Sequence, residues 1–234
     1  GIYLHAAYRG LPVARFLSPL CNNRPDEFGG SVENRARFLL MVCDAIKQKC
    51  GKDFIIEVSI SGHDNQPGGA TLEDTIEVVK LGERHFDLVQ PRAHGLDPAH
   101  PSGYTKQRIP YLFMAEALKN AGVKMPVVGV AGYLYPEESE EILSAGKADF
   151  IAMGRAWVSN PDYGKIITEG RRDDLVPCIR CNKCYTRGGK VVWRDTCSVN
   201  PTWTWESREK YFIAPIGQKK KVAVVGGGPA GMEA

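Results

Sequence analysis

The sequence predicts an α/β fold of repeated strand–helix units, and three observations carry that expectation. Apolar, β-branched runs alternate with amphipathic stretches from Ile2 to Thr168. Five such units fill about 170 residues, close to the roughly 31 residues per unit of a (β/α)8 barrel. Several helix-like stretches also carry their own punctuation, a capping residue or proline in front and a glycine behind. A doubly wound sheet shares this alternation, so periodicity favours a barrel without separating the two architectures.

Ile2–Ala6 reads as the first strand. A long loop rich in Pro, Asn and Gly then leads to a helix over Asn34–Lys49, where Phe38, Leu39, Val42, Ala45 and Ile46 fall at helical spacing. Phe54–Ile60 is the second strand, and Leu72–Gly82 a helix opened by Thr71. Phe86–Gln90 is a third strand; Tyr111–Ala121 is a helix closed by Gly122. Val127–Val130 is a buried strand, followed by a helix over Pro136–Ala145 with proline in its first turn and Gly146 behind it. Phe150–Met153 and a short helix near Tyr163–Thr168 complete the series.

The pattern then stops. Residues 171–215 are rich in Cys, Trp and Arg and show no period, and Lys219–Lys221 lead into a strand-like Val222–Val225 and a glycine-rich turn. Three segments are therefore expected: five βα units over 1–170, a cysteine segment over 171–215, and the start of a further domain over 216–234. The chain opens on Gly1 inside a strand-like run and closes just past a glycine turn, which reads as a segment of a longer polypeptide. Five of eight strands would leave two unpaired sheet edges, so homo-oligomerisation or incomplete folding in isolation is expected.

Composition narrows the class. The chain is 43% hydrophobic and 24% charged, and no apolar run reaches the roughly 18–20 residues of a membrane span. Thirty basic residues against 27 acidic ones give a net charge of +3, too balanced to argue for a nucleic-acid or membrane surface.

Four of the seven cysteines read Cys178-x2-Cys181-x2-Cys184-x12-Cys197. Three close thiols and a remote fourth are the habit of a [4Fe–4S] ligand set. Structural zinc remains the alternative, although zinc sites usually pair two C-x2-C elements. The spacing is too cramped for a disulfide framework, and with no sign of export it suggests a reducing cytoplasm. Cys21, Cys43 and Cys50 are scattered and read as buried or free thiols. Gly226-x-Gly228-x-x-Gly231 follows an apolar run and precedes small residues, the context a dinucleotide turn requires.

Phe16-Leu17-Ser18-Pro19 and the run from Asn23 through Gly29, Gly30, Asn34 and Arg35 to Phe38 resemble the signature of the old yellow enzyme family. The chain as a whole is similar to that family's iron–sulfur branch, and the cysteine spacing to its trimethylamine dehydrogenase type. This resemblance implies an FMN-binding barrel, a four-cysteine cluster loop and then a FAD- or NAD(P)-type domain. It implies that Ala131-Gly132 and Gly154-Arg155 hold the FMN phosphate, that Cys178, Cys181, Cys184 and Cys197 hold the cluster, and that Gly226, Gly228 and Gly231 begin a second nucleotide site.

The same resemblance marks departures. His5 matches the first His of the family's H-x-x-H/N motif, but the second position is Tyr8. The usual proton-donating tyrosine falls at Gly10, and the arginine expected beside the flavin pyrimidine falls at Ser59. Reduction of a conjugated C=C needs a proton as well as a hydride, and Tyr8 is the nearest phenol to supply it. His94 and His100 are expected in the loop after the third strand, and Trp193, Trp203 and Trp205 around the cysteine segment. The implied function is NAD(P)H-dependent reduction of a small conjugated C=C substrate through FMN and the cluster. Oxidative demethylation of a small amine, or a catalytically idle electron-transfer module, are the alternatives.

Overall fold

A computed structural model describes residues 1–8, 10–93, 111–130, 132–181, 183–185, 196–204, 217 and 221–233. They fall into two compact units, Gly1–Pro201 and Thr202–Ala234. The first unit holds β1 (Ile2–Ala6), α1 (Pro12–Leu17), α2 (Val32–Cys50), β2 (Ile56–His63), α3 (Leu72–Gly82) and β3 (Leu88–Ala93). It continues with α4 (Leu112–Asn120), β4 (Val128–Val130), α5 (Pro136–Ser144), β5 (Phe150–Ala152), α6 (Arg155–Ser159) and α7 (Tyr163–Thr168). The four cysteines therefore belong to the same unit as the strands.

All the ladders are parallel. β1 pairs with β2 and β2 with β3, β4 pairs with β5, and a parallel bridge between Val89 and Val127 joins the two groups. Spatial order thus follows chain order without reversal. A barrel is wound in this way, whereas a doubly wound sheet reverses at a switch point. The register sets His5 beside Ser59, Ser59 beside Gln90, and Ser61 beside Arg92.

Period-2 alternation gives the sheet two chemically different faces. Leu4, Ala6, Ile56, Val58, Ile60 and Val89 join the apolar core with Leu39 and Cys43 of α2, Val78 and Val79 of α3, and Leu118 of α4. Burying such residues is the main stabilising term, at about 1.5–3 kcal/mol for each large side chain. The opposite face carries Tyr3, His5, Glu57, Ser59, Gln90 and Arg92.

The helix starts follow local chemistry. Ser31 Oγ accepts the Asn34 N–H at 3.3 Å, and a reciprocal capping box links Thr71 and Asp74. The signature segment proves to be a clasp on the outside of the sheet. The Arg35 guanidinium, nearly buried, donates to the Leu17 carbonyl at 3.0 Å and the Gly30 carbonyl at 2.5 Å, and pairs with Asp74 of α3 at 3.1 Å.

Two expectations are corrected. The loop after β1 contains α1, whose six residues are too few to show a helical period. Val222–Val225 forms no strand; Val222 is 81% and Val225 96% exposed. An apolar run becomes a strand only when a neighbour takes its backbone hydrogen bonds. Among the described residues, no helix is long and apolar enough to cross a membrane.

Candidate functional site

The C-terminal ends of β1, β2 and β3 carry a cluster of polar and aromatic side chains. The His5 and Tyr8 rings stand 5.2 Å apart, and the Tyr3 ring meets His5 edge-on at 5.9 Å. The Arg92 guanidinium lies over the Tyr8 ring, 5.6 Å from its centre. Tyr8 takes up a left-handed backbone conformation (φ 69°), and its N–H donates to Ser61 Oγ at 3.3 Å. Such conformations cost a non-glycine residue on the order of 1 kcal/mol and gather at functional sites.

A hydrogen-bond relay orders this face. Tyr3 Oη donates to Gln90 Oε1 at 3.0 Å, Gln90 Nε2 donates to Glu57 Oε1 at 3.3 Å, and Arg92 Nη1 donates to Tyr3 Oη at 3.2 Å. Burial pushes the His5 imidazole below its ordinary pKa, and the nearby Arg92 charge pushes it further; the Ala7 backbone pulls weakly the other way. Both lowering effects favour the neutral imidazole. Burial alone raises the Glu57 carboxyl.

Two atoms on this face are buried and lack a hydrogen-bond partner among the described residues: His5 Nδ1 and its register neighbour Ser59 Oγ. Buried polar atoms are normally paired, and an unpaired one is destabilising by about 1–3 kcal/mol. A polar ring edge lying across the strand ends would satisfy both, so the residues present fit a flavin.

The expected phosphate side lies at the neighbouring strand ends. Gly132, after β4, has φ 84°, a conformation that favours glycine. Gly154 is the N-cap of α6, and Arg155 is its first residue. Arg155 also borders a second feature, a small cavity lined by Val158, Ile179 and all four of Cys178, Cys181, Cys184 and Cys197.

Local bonds build this cavity. Arg180, at φ 56°, turns the chain between the first two cysteines, and its N–H donates to Cys178 Sγ at 3.4 Å. Its guanidinium donates to the Gly132 carbonyl at 2.7 Å and so ties the cysteine loop to the glycine turn after β4. Cys181 Sγ meets Ser198 Oγ at 3.2 Å. Burial raises the Cys184 thiol, and charge on Cys178 and Cys197 raises it further, whereas Arg155 opposes both. Among the described residues no three His, Cys, Asp or Glu side chains close around a single ion; the four thiols border a space.

Most expected site residues are therefore brought together: His5 with Tyr8, and Arg155 with the four cysteines. Ala131, His94, His100, Trp193 and Trp205 lie outside the described residues. Gly226, Gly228 and Gly231 belong to the second unit, where Gly226 has φ 109° and a side chain at Gly231 would collide with the Gly226 carbonyl. Met232 N–H donates to the Gly228 carbonyl at 2.9 Å, opening the short helix α8 (Pro229–Glu233). Sequence reasoning missed Tyr3, Gln90, Arg92 and Arg180. Alternation through Leu88-Val89-Gln90-Pro91-Arg92 carries the signal for two of them, but Pro91 makes the sequence read as ending the strand at Gln90.

Parallel strands in chain order, over a core sealed by helices, define the class: part of a βα barrel, an architecture whose enzymes carry their chemistry at the C-terminal face. The NADH:flavin oxidoreductase / NADH oxidase family matches residues 1–174, and the chain belongs to that family. It is 37% identical, over its whole length, to an NADH oxidase of Thermoanaerobacter brockii, covering 36% of that protein. It is 32% identical over its whole length to a cinnamate reductase of Clostridium sporogenes, covering 37% of it. The same identity and coverage of this chain hold for an N,N-dimethylglycine/sarcosine dehydrogenase of Chromohalobacter salexigens, of which 35% is covered. A 2-naphthoyl-CoA reductase structure superposes over the whole chain with a TM-score of 0.86 at 33% identity, over 36% of its own length. The chain thus spans about a third of the proteins it matches.

Proposed function

We propose that this chain forms the phosphate side of an FMN-binding barrel together with the ligand loop of a [4Fe–4S] cluster, within an NAD(P)H-dependent reductase of conjugated C=C bonds. The observation that carries the reading is the shared wall between the two candidate cofactor sites. Arg155 starts α6 at the expected phosphate position and also lines the four-cysteine cavity, while Arg180 links that loop to Gly132. Four thiols around a space suit a polynuclear cluster better than zinc, whose sulfur ligands all lie about 2.3 Å from one ion.

FMN when bound supplies hydride transfer, and the cluster one-electron transfer. This chain's residues do the rest. Gly132 and the Gly154 N-cap offer backbone groups, and Arg155 offers charge, to a phosphate. His5 Nδ1 and Ser59 Oγ would offer their unpaired atoms to the flavin ring, and the Tyr8 hydroxyl would hold the proton for the substrate carbon in place of the donor missing at Gly10. Gly226, Gly228 and Gly231 begin the FAD or NAD(P) site that feeds the relay.

Anaerobic titration of the holoprotein tests the reading. NADH should bleach the flavin absorbance, and a conjugated enone should restore it. Bleaching by a small methylated amine with no NADH present would favour amine dehydrogenation, the second reading, which the cysteine spacing and the dehydrogenase among the relatives support. Failure of both would leave the idle-module reading.

A further inference from the structure

We infer that Arg180 couples the two candidate cofactor sites, so that a cluster held by the four cysteines tightens FMN binding and bound FMN stabilises the cluster in return. The inference rests on the reading above and adds to it a positioning residue that joins the two sites.

The backbone carries the first argument. Arg180 lies inside the ligand run, between Cys178 and Cys181, and its own N–H donates to Cys178 Sγ at 3.4 Å. Its φ of 56° is a left-handed conformation that glycine adopts more easily than a residue with a Cβ. The side chain leaves the loop and donates to the Gly132 carbonyl at 2.7 Å, across 48 residues of sequence. A glycine at φ 84° has wide freedom to turn, and holding its carbonyl fixes the plane of the peptide that joins it to Tyr133. That peptide belongs to the turn expected to hold the FMN phosphate. One residue thus spans both sites: its backbone moves with the thiols, and its guanidinium sets the phosphate turn.

The surrounding bonds carry the second argument, because they frame the cysteine segment from outside. Asn160, at the C-cap of α6, donates to the Val176 carbonyl and accepts the Val176 N–H, each at 2.8 Å. Asn200 donates to the Val158 carbonyl within α6 at 2.7 Å. Both asparagines are buried, and they hold the chain just ahead of Cys178 and just beyond Cys197 against the helix that begins at Arg155. Leu134, Ala156, Tyr163, Ile166 and Leu175 form an apolar core of their own, with Cys178 packed against it. These asparagine bonds lie outside the ligand run and do not need a cluster to form. The span from Cys178 to Cys184 is different, since its order depends on whether the four thiols are gathered round one body. Gathering them fixes the conformation that reaches Gly132, and that freedom does not have to be lost again when FMN binds. Such a coupling acts equally in both directions.

A double-mutant cycle on FMN affinity, measured by rebinding FMN to the deflavo form of the full-length holoprotein, tests the coupling. The four proteins are the parent, Arg180→Met, Cys184→Ser and the double variant, with iron and acid-labile sulfide counted in each. Arg180→Met, which keeps a long side chain and loses its donors, should retain the cluster and weaken FMN by about 10-fold, the loss expected of a hydrogen bond from a charged group. Cys184→Ser, lacking the cluster, should weaken FMN by a similar factor, and the double variant should bind no worse than either single one. In the reverse direction, FMN should slow iron loss to a chelator from the parent and not from Arg180→Met. Arg180→Gly, which suits the left-handed turn and also lacks the guanidinium, carries the same test if Arg180→Met loses its cluster. If Cys184→Ser does not fold, oxidative removal of the cluster from the parent and from the Arg180 variant supplies the same four states. Effects that multiply in the double variant, FMN affinity unchanged by Arg180→Met or by cluster loss, or undiminished protection of the iron in Arg180→Met would each overturn the assignment. Iron and sulfide present in the parent in those cases would mean that the coupling alone has failed; their absence would remove the cluster reading along with it.

Discussion

Among the described residues, aspartates pair the polar groups at the N-terminal ends of β2 and β4, whereas two buried atoms on the face that leads to the C-terminal ends, His5 Nδ1 and Ser59 Oγ, have no partner. Asp87 accepts the Ile56 N–H and the Lys47 ammonium, each at 2.7 Å. Asp149 repeats the device two units later, accepting the Val127 N–H at 2.8 Å and Lys119 at 2.7 Å. In both cases an aspartate just before one strand holds an N–H at the start of the preceding strand and a lysine from the helix that leads into that preceding strand. At the opposite ends, His5 Nδ1 and Ser59 Oγ are buried and unpaired, and Arg92 has no acidic partner among the described residues. The difference matches the division of labour of βα barrels in general, where one end closes the fold and the C-terminal end carries the ligand sites.

Substitutions should therefore act in opposite senses at the two ends. Asp149→Ala should lower stability by about 2 kcal/mol, a modest figure for a charged hydrogen-bond acceptor because the carboxylate is 35% exposed. Urea unfolding would measure this, with flavin content per folded protein unchanged. Burial opposes the Asp149 charge, but the bonds from Lys119 and Val127 outweigh it and hold the carboxyl below its ordinary value. Its contribution is thus complete above the ordinary aspartate pKa and disappears as pH falls through the lower folded-state value, so the parent and Asp149→Ala stabilities should converge in acid.

Ser59→Ala is the smaller and opposite case. Removing a buried, unpaired hydroxyl should leave stability equal or raise it by about 1 kcal/mol, while FMN retention weakens severalfold. Thermal unfolding and flavin release measure the two quantities separately. A destabilised Ser59→Ala protein with normal flavin affinity would erase the contrast between the ends.

The readability of the sequence follows the same division. Leu72–Gly82 matches its expected limits because the Thr71–Asp74 capping box and the following turn are local chemistry. The cysteine spacing points to one cavity, since three cysteines within seven residues leave the chain little freedom. What periodicity missed lies at the strand ends. β2 runs to His63 and β3 to Ala93, beyond the expected limits of Ile60 and Gln90. Ser61, Gly62, His63 and Arg92 have poor strand character, yet the parallel ladder continues through most of them by pairing backbones. Polarity that reads as loop in one dimension is here the last part of a parallel ladder. Arg180 was hidden for a different reason: its partner, Gly132, is 48 residues away in sequence.

The account depends most on what the four thiols hold. Metal and sulfide analysis of anaerobically purified holoprotein should return about four iron and four acid-labile sulfide per chain, with both lost in Cys184→Ser. Stoichiometric zinc without sulfide would contradict the account and remove the proposed electron path between the nucleotide domain and the barrel flavin.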